Sequence, residues 1–408
     1  MPEDESPDDR ATPENQAADA VSGRQTEDPA PFVPVVPAGG AGTRLWPLSR
    51  QGRPKFLLDP TGRGRSLLQK TLDRLSDLAD APPCVVTGEQ HVAAVREQVD
   101  GAAVRVLAEP SPRDSMPAIA LAAAVIEREA PDAVIGSFAA DHEIGDEGAF
   151  RAAVASARRA AERGYLATIG ITPTRPATGF GYIERSEGHA PSPLPSLEGT
   201  GARLVASFVE KPDAERAAQF LAGGRHLWNA GMFVVRARVL LDSLAEQIPS
   251  LASGVRRIAA ALEDDPASPV LAETWPALTR IPIDHALAEP LAAQGRVAVV
   301  PAALDWDDVG DYAALARQVR RARGDGDREQ GSGGEGSDVA VVGSVRTLDR
   351  RARATVYGSS QRPIALVGVD GVSVVETDDV LLVVGDDDPR ALAELVARLE
   401  ETGHADLR

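Results

Sequence analysis

The sequence predicts an α/β fold: a large domain with a mostly parallel, mixed sheet over residues 31–322, then a small β-rich module over residues 339–408. Three observations carry this. Between residues 31 and 322, short β-branched runs alternate with stretches of helical period, the pattern of strands joined by crossover helices. The Gly-, Ser- and acid-rich stretch "GDGDREQGSGGEGSD" breaks that alternation and reads as a flexible linker over residues 323–338. Beyond it, "IALVGVDGVSVVETDDVLLVVGDDD" sets short apolar runs between turn residues, and helical period returns only in the closing "PRALAELVARLEE".

The elements follow in order. Residues 1–30 hold nine acids against two arginines and few large apolar groups. Such a segment buries too little surface to offset the cost of ordering and reads as a disordered acidic tail. Val33–Val36 is the first strand, and Pro37 is expected to mark its end, where a missing N–H removes no ladder bond. "SLLQKTLDRLSDL" places Leu67, Leu68, Thr71, Leu72 and Leu75 on one helical face, with Ser66 and Gln69 forming a capping box at its start. "CVVTG" reads as a strand, "EQHVAAVREQV" as a helix and "VRVLAEP" as a strand. "PAIALAAAVIERE" is a helix with Pro117 near its first turn. "AVIGSFAAD" is a strand expected to deliver Asp141 at its C-terminal end.

With 408 residues, 43% of them apolar, the chain can bury a large core. Its net charge of −18 argues against extended binding to nucleic acid or an anionic membrane, yet leaves room for a local basic pocket around a phosphorylated small molecule. The lone cysteine, Cys84, precludes an internal disulfide and reads as a buried strand end. The N-terminal "MPEDESPDDR" lacks the basic and apolar regions of a secretory leader, and no run of about 18 apolar residues suggests a span. The expectation is a soluble cytoplasmic protein.

The stretch most suggestive of chemistry is "VVPAGGAGTRLWPLSRQGRPKFLL", residues 35–58. Glycines let backbone N–H groups approach an anion closely. The spacing fits neither G-x-x-x-x-G-K-S/T nor G-x-G-x-x-G, which needs glycine where Leu45 stands. A glycine cluster alone is read equally well as a strand-to-turn connection. Arg44 and Lys55 favour phosphate, since arginine clamps it bidentately and lysine acts as a mobile point charge.

"AGGAGTRLWPLSR…PKFLL" resembles the signature G-G-x-G-T-R-L-x-P followed by P-K of the sugar-phosphate nucleotidyltransferases, and its "TRLWPLSR" form resembles the mannose-1-phosphate guanylyltransferase branch. Further segments agree in order. "AEPSPRDSMPAIALAA" is similar to the family's base-pocket segment, with Asp114 and Met116 in place of the commoner Asn and Ala. "FAADHEI" is similar to P-S-D-H-x-I, with Ala139 and Ala140 replacing Pro and Ser; "TGFGYIER", "FVEKP", "LWNAGMFVV" and "IPIDHALAE" resemble sugar-pocket segments; "WDDVGDY" resembles W-x-D-V-G-x-W/Y. The resemblance covers roughly residues 31–400 and implies a Rossmann-like nucleotidyltransferase domain with a β-helix-like C-terminal module.

The resemblance also implies roles. Arg44, Lys55 and Lys211 would be catalytic; Ala38, Gly39, Gly40, Gly42, Thr43, Glu109 and Arg113 would bind the nucleotide; Gly179, Tyr182, Glu210 and Asn229 would bind the sugar; Asp141 and Asp308 would hold Mg²⁺. Taken singly, each has an ordinary reading. Asp141 reads as a turn residue or helix N-cap, Asp308 as part of a solvated acidic loop, Lys211 as an exposed edge lysine and Trp228 as core. The six histidines, His142 included, lack metal-ligand spacing, so zinc is not expected.

The implied reaction is transfer of GMP from GTP to mannose 1-phosphate with release of pyrophosphate. Its nucleophile is already anionic, so catalysis rests on positioning and charge stabilisation. The alternatives are the same chemistry on another base or sugar, such as glucose-1-phosphate thymidylyl- or uridylyltransfer, and a non-catalytic nucleotide-sugar-binding homologue. About 70 residues follow the linker, too few for a fused isomerase barrel. No nucleic-acid or membrane partner is expected, and a homodimer is left open.

Overall fold

The computed structural model describes residues 30–40, 42–186, 191–323, 336–386, 388–399 and 401–407. The acidic tail up to residue 29 and linker residues 324–335 lie outside the described residues. Among those described, no helix is long and apolar enough to cross a membrane.

In chain order the strands of the large domain are β1 (Phe32–Ala38), β2 (Cys84–Gly88), β3 (Arg105–Glu109), β4 (Val134–Ser137), β5 (Glu143–Ile144), β6 (Leu166–Ile171), β7 (Tyr182–Arg185), β8 (Arg203–Val209), β9 (His226–Arg236), β10 (Val297–Ala302) and β11 (Trp306–Asp307). Nine of them form one sheet in the order β3-β2-β1-β4-β9-β6-β10-β8-β7, and β5 pairs with β11 apart from it. The sheet is parallel across β3, β2, β1 and β4 and between β6 and β10; β9 runs antiparallel to β4, β6 and β7. The expected parallel character is therefore confined to β3, β2, β1 and β4 and to the β6–β10 pair, while β7 runs antiparallel to both β8 and β9.

β1 lies between β2 and β4, the point where successive connections leave in opposite directions. In open α/β sheets ligands bind outside the C-terminal strand ends at such a place. β1 is longer than the sequence suggested and holds two prolines inside it. Val35 and Pro37 turn their carbonyls toward the β4 side, where Phe138 and Ala140 donate to them at 2.9 and 3.2 Å. Pro37 is therefore not the strand's last residue. Its missing N–H faces the space beyond Ser137, the last β4 residue in register. Pro34 faces β2 instead, one position before Cys84, where that strand begins. Each proline removes a donor only where the neighbouring strand is absent.

The helix Leu67–Ser76 starts on the expected capping box, with the Ser66 hydroxyl accepting from the Gln69 amide and Gln69 returning the bond. The helix Ser115–Glu129 buries nearly its whole length, and its alanines let it pack tightly against the helices Ala237–Gln247 and Pro249–Asp264 in the main core. Cys84 is buried at the start of β2, and burial pushes its thiol up to about 12, so it is inert packing.

The C-terminal module contains β12 (Asp338–Gly343), β13 (Thr347–Arg350), β14 (Arg353–Gly358), β15 (Ile364–Val367), β16 (Asp370–Glu376) and β17 (Leu381–Gly385). β12, β14 and β16 stack in parallel, as do β13 and β15, so successive coils lie on one another as in a β-helix. Val339, Ala354, Val356 and Val374 fill the coil interior. The antiparallel β17 and the helix Pro389–Ala397, capped by the Asp388 carboxylate on the Ala391 amide, close the stack.

Candidate active site

Past Ala38 the backbone reaches the surface at Gly39 and Gly40, then turns at Gly42 into the single 3₁₀ turn Thr43–Leu45. Gly42 has φ 60°, and a Cβ there would sit 2.7 Å from the Lys55 Cβ. Both conformation and space require glycine. The Ser49 hydroxyl donates to the Gly42 carbonyl, fixing the turn from beneath. Gly39, Gly40, Thr43 and Arg44 remain exposed, so amides and a guanidinium face outward together.

Lys55, on the turn Lys55–Leu57, is 8% exposed. Its Nζ lies 2.6 Å from Asp141 Oδ2 and donates to the carbonyls of Asp308 at 2.6 Å and Val309 at 3.3 Å. One cation thus ties together three segments far apart in sequence. Contrary to the sequence expectation, Asp141 does not end a strand: β4 stops at Ser137, and a turn carries Asp141 inward. Nor does it cap a helix, because Asp146 caps Glu147–Ala161. Burial raises the Asp308 carboxyl, opposed by the nearby His142, Lys55 and Arg44, and among the described residues no hydrogen-bond donor reaches that carboxylate. The following Val309 has φ 47°, a conformation a β-branched residue adopts only when its surroundings impose it. His142 accepts at Nδ1 from Trp306 Nε1 at 3.2 Å, and burial holds its pKa below the usual value, so it sits neutral with its proton on Nε2.

The donor set fits a hard divalent cation. Lys55 pairs with the Asp141 carboxylate, and the Asp308 carboxylate is half-buried under the influence of the same cation. Among the described residues no donor reaches the Asp308 carboxylate, and no group of three His, Cys, Asp or Glu side chains forms a cage. Such a site completes its shell from substrate phosphates and water, as Mg²⁺ sites do.

From Asp308 a cleft of about 300 Å³ runs along Phe180, Glu210, Asn229 and Asp284. Asn229 is oriented at both ends: its Nδ2 donates to Asp284 Oδ1 at 2.6 Å and its Oδ1 accepts from the Gly231 amide at 3.1 Å. Gly179 and Gly181 form one wall, and a Cβ at Gly181 would collide with Glu210 Oε2 at 2.6 Å. Lys211, at φ 43° and largely exposed, pairs with Glu210 Oε1 at 2.5 Å and flanks the cleft.

At the other end of the loop, Glu109 closes β3 beside Gly39. It is 7% exposed, its Oε2 has no hydrogen-bond partner among the described residues, and burial pushes its carboxyl up to about 7. Arg113 points elsewhere, donating to the carbonyls of Pro276 at 2.5 Å and Leu278 at 3.2 Å. In this state it braces the 276–278 turn.

A family model described as nucleotidyl transferase matches residues 33–323, more than half of the chain. The chain belongs to the nucleotidyl transferase family. A second model, a mannose phosphate isomerase/GMP-like beta-helix domain, matches residues 348–399. The xanthan biosynthesis protein XanB of Xanthomonas campestris is 36% identical over 378 residues, covering 92% of this chain and 74% of its own. An Escherichia coli mannose-1-phosphate guanylyltransferase is 35% identical over 358 residues, covering 86% and 70%. A Thermus thermophilus crystal structure, described as a mannose-1-phosphate geranyltransferase, superposes with a TM-score of 0.76 at 33% identity over 91% of this chain and 99% of that one.

In this nucleotidyl transferase one expected sugar contact is corrected. Tyr182 is fully buried, packs against Phe220 with ring centroids 5.3 Å apart, and does not line the cleft. Tyr182 is the first residue of β7 and is buried in the core, whereas Gly179, Phe180 and Gly181, in the turn that precedes the strand, line the cleft. Phe180, two positions earlier, lines the cleft between Trp228 and Trp306, each 5.1 Å away. Trp228 is core at 4% exposure, as its ordinary reading had it. Asp284 was not singled out from the sequence. It opens a π-helical turn, Asp284–Ala288, and such turns recur at functional sites. Its carboxyl is raised by burial and drawn back by the Asn229 amide.

Proposed function

We propose that this nucleotidyltransferase transfers GMP from GTP to α-D-mannose 1-phosphate, forming GDP-mannose and pyrophosphate. The observation that carries the reading is the Lys55 junction, which sets the exposed glycine loop, two carboxylates and the cleft around one point. The names of the relatives support the base and sugar.

An oxygen of the sugar phosphate attacks the α-phosphorus of GTP in line, the bond from that phosphorus to the α,β-bridging oxygen breaks, and pyrophosphate leaves with the electron pair. The loop amides of Gly39, Gly40, Gly42 and Thr43 and the Arg44 guanidinium hold the triphosphate and its leaving group. Lys55 neutralises charge at the α-phosphate, Lys211 leaves Glu210 to meet the incoming sugar phosphate, and Glu210, Asn229 and Asp284 accept from and donate to sugar hydroxyls. Asp141 and Asp308 would hold Mg²⁺, which supplies charge neutralisation and orientation of the phosphates. The use of GTP and a sugar phosphate as substrates supports a cytoplasmic setting for the reaction. Incubation with both substrates and Mg²⁺ should yield equimolar GDP-mannose and pyrophosphate; product without a sugar, or none, refutes the reading.

Glu109 gives the base assignment a pH signature. Guanine presents N1–H and N2–H₂ donors, which an ionised carboxylate accepts as a pair and a protonated carboxyl accepts more weakly. With its carboxyl raised to about 7 from 4.5, Glu109 is increasingly protonated below pH 7 in the free protein. GTP affinity should therefore weaken about tenfold per unit as the pH falls from 7 toward 5, and the dependence should vanish in Glu109→Gln, measured by calorimetric titration. The stability sign is opposite. A carboxyl raised by folding stabilises the free protein fully below pH 4.5, and that contribution, on the order of 3 kcal/mol, is lost as the pH rises through 7. Glu109→Gln should flatten the Tm–pH curve of the free protein over this window.

A further inference from the structure

The loop that carries Arg44 and the turn that carries Asp308 share a back wall. Tyr312 begins the helix Tyr312–Arg323 and is 3% exposed. Its hydroxyl donates to the carbonyls of Leu45 at 3.0 Å and Trp46 at 3.2 Å, the two residues that follow Arg44. A single phenol therefore joins the segment of Asp308 to the segment of Arg44. Behind it stands the C-terminal module. Trp46 Nε1 donates to the Leu407 carbonyl at 2.6 Å, Arg50 Nη1 reaches the same oxygen at 3.1 Å, and Arg50 pairs with Asp379 at 2.6 Å. Leu45, Trp46, Val309 and Tyr312 share one apolar cluster with Leu392 and Val396 of the module's closing helix.

The turn Thr43–Leu45 is three residues long, has no side-chain cap and is exposed on its outer side. Among the described residues no side-chain hydrogen bond or ion pair holds Thr43 or Arg44 from that outer side, so the turn's placement rests on the inner contacts. A displacement of about 1 Å in a charge-stabilising group can cost about 10² in rate.

We propose that Tyr312 is a positioning residue for nucleotidyl transfer: its hydroxyl fixes the Arg44 turn relative to Asp308, and the β-helix module is the brace that holds Trp46 against it. The proposal rests on the guanylyl-transfer reading only through the identity of the nucleotide assayed. No substrate contact is assigned to Tyr312, so its effect passes through the turn that carries Arg44, and chiefly through Arg44 itself.

The test is a double-mutant cycle in the full chain: wild type, Tyr312→Phe, Arg44→Ala and the double variant, with kcat and KM for both substrates, GTP affinity at equilibrium, and Tm. Tyr312→Phe should lower kcat/KM for GTP by about tenfold and leave the KM for mannose 1-phosphate unchanged. Added to Arg44→Ala, it should cost much less than it does in the wild type. A change within twofold for Tyr312→Phe, or an equal loss in both backgrounds, overturns the proposal. Should Tyr312→Phe fold poorly, Trp46→Phe removes the bond to Leu407, keeps an aromatic ring, and carries the same two expectations. Wild-type turnover with GTP, in the same experiment, tests the functional reading alone. Equilibrium GTP binding lets the cycle be read even if that turnover is absent.

Discussion

Lys55→Met should lower kcat by about 10²–10³ while the protein stays folded, as read by steady-state turnover beside circular dichroism and Tm. Methionine keeps the apolar stem of a side chain that is almost wholly buried and removes only its charge. What is lost is specific: the 2.6 Å pair with Asp141 and the bonds to the Asp308 and Val309 carbonyls. The Asp141 carboxylate is then left without its cation, and the Asp308 carboxylate without one of the charges that oppose its burial. Breaking a fully buried pair costs roughly 3–5 kcal/mol, but the Asp141 side chain is 30% exposed, so water takes up part of that charge and the cost falls below this range. Lys55→Arg should not rescue, since Gly42 packs directly on the stem and a planar guanidinium needs more room than an ammonium. Turnover within threefold of wild type for Lys55→Met would remove Lys55 from the mechanism.

Gly42→Ala carries the second large effect. The φ of 60° costs a residue with a Cβ about 1–2 kcal/mol, and the new methyl would lie 2.7 Å from the Lys55 Cβ. Backbone or lysine must move, and each movement shifts a charge out of place, so turnover should fall about 10²-fold with a lower Tm. Gly40→Ala separates the two causes. Gly40 has φ 88°, but nothing lies within 4 Å of a Cβ built there, so this variant meets strain without collision and should lose far less activity. Equal losses for the two variants would show that space around Lys55 is irrelevant.

Local elements were legible in the sequence because their causes are local. The Ser66–Gln69 capping box, the strand Cys84–Gly88 and the alanine-rich helix after Glu109 follow from residues within a few positions of each other. The signature loop was legible for the same reason: its glycines, Arg44 and Lys55 lie within one short stretch. What the sequence hid depends on pairs of distant segments. Nothing near Lys55 announces that its amine meets Asp141 and the Asp308 carbonyl, and nothing near Trp46 announces Leu407, 361 residues on. Pro37 was misread as a terminus because its tolerance depends on where β4 ends, which belongs to another element. Tyr182 was misassigned because a motif gives residue types, whereas the point at which the turn passes into β7 decides which of them meets the cleft. Asp284 stood in a recognised segment, but its place was set by a π-turn that no periodicity signals.

The central claim is guanylyl transfer at the junction of Lys55, Asp141 and Asp308. Its most direct test is pyrophosphate release by the full chain with Mg²⁺ and mannose 1-phosphate, measured with GTP, UTP, dTTP and ATP in parallel. Release with GTP, abolished in Asp308→Ala and absent with the other three nucleotides, is the predicted result. Release with UTP or dTTP but not GTP, or undiminished release in Asp308→Ala, would contradict it.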